Sequence, residues 1–62
     1  MFTVKIKEET FSIAGMDFLQ KKGFEPNKNY LAIGTISQKL LIADQVSGEM
    51  VELFPRNCLF VK

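Results

Sequence analysis

The side chains that could carry chemistry in this chain are few, and they do not converge. One cysteine, three serines and seven carboxylates are the available nucleophiles and acids, and histidine is absent. Without histidine the commonest general base and metal ligand is missing. Cys58, Ser12, Ser37 and Ser47 have no basic partner at a recognisable spacing, and a single thiolate cannot build a sulfur-ligated metal site. Glu8 and Glu9 read as a solvated strand end rather than an acid–base pair. The four glycines are isolated, so no phosphate-cradling loop is present. These observations point to a non-catalytic chain that needs no cofactor and no metal. Cys58 reads as a small buried hydrophobe, and Tyr30 as a packed ring with a hydrogen-bonded hydroxyl.

Two sets of residues remain that could recognise a partner. Met16, Phe18, Leu19 and Phe24 are a dense apolar group for so short a chain. Two placements fit them: completing the core, or lying partly exposed as a patch for a protein partner or a second copy of the chain. The second set is Lys5, Lys7, Lys21, Lys22 and Lys39, which together would make a face for nucleic acid. The nearby Glu8, Glu9, Asp17 and Glu25 dilute that field. The net charge of +1 gives no long-range attraction to a polyanion or an anionic lipid surface. The protein partner is therefore the leading expectation and nucleic acid the alternative.

The elements that must position these residues can be read from pattern. Sixty-two residues, 47% of them hydrophobic and 24% charged, fit one small globular domain. Six phenylalanines are the main means of filling its core. Phe2, Val4 and Ile6 alternate with Thr3, Lys5 and Lys7, as in a strand with one face buried; the lysines mark a sheet edge or a solvated face. Phe11 and Ile13 could open a short strand. From about Gly15 to Lys22 the residues favour a short helix, with Asp17 near its start, Lys21 and Lys22 in its last turn and Gly23 as its left-handed terminator. Phe18 and Leu19 would anchor it. Residues 25–29 form a turn. An organising meander follows: a strand over Tyr30–Ile36 with a bend or bulge near Gly34, a strand over Leu40–Ala43, a turn over Asp44–Glu49 closed by Gly48, and a strand over Met50–Phe54. Pro55 ends that ladder, one helical turn spans Arg56–Cys58, and Leu59–Val61 is a last strand.

Five pieces of this pattern carry a resemblance: Asn27-Lys28-Asn29-Tyr30, Leu41-Ile42-Ala43-Asp44, Gly48-Glu49, Phe54-Pro55 and Leu59-Phe60. Over about two thirds of its length the chain resembles the small SH3-like β-barrel proteins common in phage and Gram-positive bacterial genomes. The resemblance implies a mainly all-β fold, a five-stranded SH3-like barrel with one short helix inserted between the first strand and the meander. It also implies a phage or mobile-element origin. The Asp44–Gly48 turn and the segment before Tyr30 are longer than that pattern usually has. The family's motifs are structural and imply no activity. No apolar run approaches the roughly 20 residues of a membrane helix, no secretory leader is evident, and one cysteine permits no internal disulfide. The expected setting is cytoplasmic, with the 10–24 segment as the contact surface.

Overall fold

The computed structural model describes residues 1–61. Five strands form one antiparallel sheet: β1 (Phe2–Ile6), β2 (Tyr30–Ile36), β3 (Lys39–Ala43), β4 (Met50–Leu53) and β5 (Cys58–Val61). Their order is β4-β3-β2-β1-β5. A single helix, α1 (Ile13–Lys21), lies in the connection from β1 to β2. Two short 3-10 turns cover Glu8–Thr10 and Pro55–Asn57.

The sheet is open. β4 and β5 are its edges, and no ladder joins them, so the expected closed barrel does not form. The buried cluster nevertheless takes residues from every strand: Val4 and Ile6, Tyr30 and Ala32, Ile42, Leu53 and Cys58, together with Met16, Leu19 and Phe24. A flat sheet of five strands would be about 20 Å wide at roughly 4.8 Å per strand. For Leu53 on one edge and Cys58 on the other to share one cluster, the sheet must curl around the helix side. The bulge between Ala32 and Gly34, where the β2–β3 register shifts, supplies part of that bend.

β1 is not an edge strand; it pairs with β2 on one side and β5 on the other. Its lysines therefore belong to a solvated face. The alternation correctly buries Val4 and Ile6, but Phe2 is left 62% exposed because the helix side does not reach that end of the sheet.

Helix α1 starts earlier than the propensity pattern implies. Ser12 is its N-cap, with the Gly15 backbone N–H donating to Ser12 Oγ at 3.1 Å, so Ile13 is helical rather than the start of a strand. Asp17 falls mid-helix, where it pairs with Lys21 at 3.1 Å. The end is as expected: Gly23 adopts φ +92°, its N–H donates to the Gln20 carbonyl, and the Phe24 N–H donates to the Leu19 carbonyl at 2.8 Å. This is a Schellman ending, and its accompanying apolar pair, Leu19 and Phe24, lies wholly in the core. The terminator thus also delivers the largest fully buried ring.

The two hairpins differ. In the β3–β4 turn, Asp44 Oδ1 accepts from the N–H groups of Val46 (2.9 Å) and Ser47 (3.4 Å), and Gly48 supplies φ +79°. The β2–β3 turn has only Ser37 and Gln38 between the paired residues Ile36 and Lys39, and both adopt positive φ (49° and 69°). That is the backbone of a type I′ turn, built without the Asn or Gly that such a turn favours.

Candidate functional surface

The four apolar residues singled out in the sequence do not stay together. Met16 and Leu19 face the core from α1, and Phe24 is fully buried against Tyr30, with ring centroids 4.9 Å apart. Residues this buried cannot touch a partner unless the fold opens. Only Phe18 of the group is on the surface, 57% exposed. The reason is helical geometry: adjacent positions are about 100° apart, so the face that buries Leu19 turns Phe18 outward. Phe18 shares a shallow groove with Leu41, Met50 and Val51, and the Lys22 ammonium stands 5.7 Å from its ring centroid.

A second apolar surface lies elsewhere, and the sequence reading missed it. Phe2 and Phe60 meet edge-to-face at 5.8 Å, and both rings are about half in solvent or more. Val4 is opposite Phe60 in the ladder and Ala32 is opposite Phe2, so the two rings share the sheet face that carries the core. They prolong that face past the cover of α1. Met1, Phe2, Ile33 and Leu40 line a small cleft of about 110 Å³ at this end. Beside it runs the outer edge of β5, whose residues Cys58, Leu59, Phe60 and Val61 carry no charge and no proline. Such an edge presents unpaired backbone donors and acceptors. Counting residues from the core along β1 and β5 shows that both rings lie on the core face; it does not show that the core stops short of them.

The five lysines are not brought into one face. Lys21 is paired with Asp17, and Lys22 lies 3.9 Å from Glu49. Lys5 and Lys7 line a surface with Glu8 and Glu9. Lys39 pairs with Ile36 at the far end of β2, whereas Tyr30, at the near end, is opposite Val4, next to Lys5. Six residues of strand separate those ends by about 20 Å.

The remaining polar groups are structural. Tyr30 Oη accepts the Glu25 N–H at 2.8 Å. Asn57, the one buried polar residue of those described, ties two segments far apart in sequence. Its Oδ1 accepts the Phe54 N–H at 3.1 Å, and its Nδ2 donates to Thr10 Oγ1 at 2.9 Å. The Thr10 hydroxyl in turn donates to the Lys7 carbonyl at 2.7 Å. Burial pushes the Cys58 thiol up from its ordinary value, which disfavours the reactive thiolate. Among the described residues no three His, Cys, Asp or Glu side chains are grouped to hold a metal ion, and no helix is long and apolar enough to cross a membrane.

No family model, no curated protein and no solved structure matches this chain.

Proposed function

We propose that this chain is a non-catalytic protein-interaction module, an open SH3-like sheet of phage or mobile-element origin working in the cytoplasm. Its contact surface is the apolar end at Phe2 and Phe60. One observation carries this reading: two aromatic rings on the core-bearing face of the sheet pack edge-to-face against each other yet remain in solvent. Aromatic side chains bring large apolar area to an interface at low conformational cost, and a soluble chain that leaves a pair of them uncovered gains by burying them in a partner. The uncharged β5 edge beside them offers backbone hydrogen bonds to the same partner, whether another protein or a second copy of this chain.

The 10–24 segment supports a second reading through Phe18, exposed beside Met50 at the opposite, β4 edge. Nucleic acid is less well supported, because the lysines are dispersed and two of them are spent on carboxylates.

Light scattering and affinity capture on wild type, Phe2→Asp and Phe18→Asp separate these readings, with thermal melts to show that each variant is folded. Loss of self-association or of a captured protein in Phe2→Asp alone supports the proposal. Loss in Phe18→Asp alone moves the surface to the β4 edge. Equal retention by all three proteins, or capture that nuclease abolishes, overturns the apolar-interface reading.

A further inference from the structure

At the opposite end of β4 from Met50, two cations share one aromatic ring. The Lys39 ammonium stands 5.1 Å from the centroid of Phe54 and the Arg56 guanidinium carbon 4.3 Å from it. The ring attracts each cation through its quadrupole. It thereby holds two positive charges within about 10 Å of each other, roughly one Debye length at 0.1 M salt. Lys21, Lys22 and Lys28 each have a carboxylate within 4 Å, but neither Lys39 nor Arg56 does among the described residues.

Both cations are mounted on fixed backbone. Lys39 is set by its ladder pairing with Ile36 across the Ser37-Gln38 turn. Arg56 sits in the Pro55–Asn57 turn, which is closed by the Asn57 N–H donating to the Phe54 carbonyl and by Asn57 Oδ1 accepting the Phe54 N–H. Little ordering is left for a ligand to impose, which favours binding. Opposed ladder residues project from the same face, so Ile36, 46% exposed, flanks Lys39. The result is a pair of cations that form no ion pair among the described residues, set between two apolar side chains, Ile36 and Phe54.

We propose that this cluster is a docking site for an acidic peptide segment. Its carboxylates pair with Lys39 and the donor fork of Arg56, and an adjoining apolar side chain rests on Ile36. Charge complementarity selects the occupant. A phosphate backbone is tracked by a stripe of cations, whereas the next cation on this surface, Lys7, whose N–H donates to the Asn57 carbonyl beside Arg56, shares its surface with Glu8 and Glu9. The Phe54 ring, engaged by two cations, is not an open platform for a base. The site is independent of the Phe2–Phe60 surface.

The test is an NMR titration of the isotopically labelled full chain with a capped peptide, Glu-Leu-Glu-Glu-Phe-Glu. Its all-Gln counterpart and an eight-nucleotide oligothymidine are titrated in parallel. Saturable shifts centred on Ile36, Lys39 and Arg56 are expected. They should weaken with added salt and by tenfold or more in Arg56→Gln, an exposed position whose replacement leaves the spectrum folded. Lys39→Gln should act in the same direction, and Phe2→Asp should bind as wild type does. The proposal is overturned if the all-Gln peptide binds equally well, if Arg56→Gln has no effect, or if shifts do not saturate. Tighter binding by the oligonucleotide than by the acidic peptide at matched salt would assign the site to nucleic acid instead.

Discussion

The helical segment from Ser12 to Phe24 and the tip of the β2–β3 hairpin both reverse the chain, but by different means. The helical segment carries its own instructions: a serine cap at one end, a left-handed glycine at the other, and Leu19 and Phe24 to tie it to the sheet. The hairpin tip has none of these. Ser37 and Gln38 sit in a left-handed conformation that non-glycine residues enter at a cost of about 1 kcal/mol each. The ladder on either side, from Gly34–Leu41 to Ile36–Lys39, holds them there. Where local signals exist the backbone is relaxed, and where they are lacking the tertiary pairing imposes the turn.

The largest test of this contrast is Phe24→Ala. Removing a fully buried ring beside Tyr30 should cost about 3–5 kcal/mol, which would leave so small a domain largely unfolded in chemical denaturation. If the melt moves little, Phe24 is not what anchors the helical segment. Gly23→Ala comes next. A Cβ at this position meets no atom within 4 Å, so the whole effect, about 1–2 kcal/mol of destabilisation, comes from φ +92°. Ser12→Ala should lose about 1 kcal/mol through the unpaired Gly15 N–H, read as a lower urea midpoint with unchanged slope.

The hairpin should respond in the opposite direction. Gln38→Gly relieves left-handed strain and is expected to stabilise by about 0.5 kcal/mol, the strain removed being partly offset by glycine's greater freedom in the unfolded chain. A destabilised Gln38→Gly protein would show that the turn is not strained, and the contrast would fail.

The smallest effect concerns the β3–β4 turn. Hydrogen bonds from the backbone N–H of Val46, and then of Ser47, hold the Asp44 carboxyl below its ordinary value. Because the folded pKa is depressed, the stabilisation is present above the unfolded aspartate pKa of roughly 3.9 and is lost as pH falls through the lower folded value. Wild type should lose slightly more stability than Asp44→Asn between about pH 5 and pH 2, a difference readable in paired thermal melts.

Much of the fold was legible because it rests on local patterns. The strands, the left-handed Gly23 and Gly48, the irregularity beside Gly34 and the helical turn after Pro55 all follow from period-two alternation and turn chemistry. The surface was less legible. Phe18 and Leu19 are adjacent and both apolar, and choosing between them required the helical phase, which Ser12 sets. Phe2 has the same parity as Val4 and Ile6, so alternation alone places it inside. The Lys39–Phe54–Arg56 cluster joins two stretches of chain, and no spacing within either one announces it.

The sequence by itself determined a small, mainly β chain with one helix, the turns at Gly23 and Gly48, and the burial of Val4, Ile6, Tyr30 and Cys58. These depend on interactions within a few residues, where side-chain type acts directly on the backbone. Only the tertiary structure decided that the sheet stays open, that β1 is interior, that three of the four apolar candidates belong to the core, and which rings remain in solvent. Those outcomes depend on how far a nine-residue helix reaches across five curled strands. The extent of that cover is a property of packing between distant segments, and the types of neighbouring residues do not encode it.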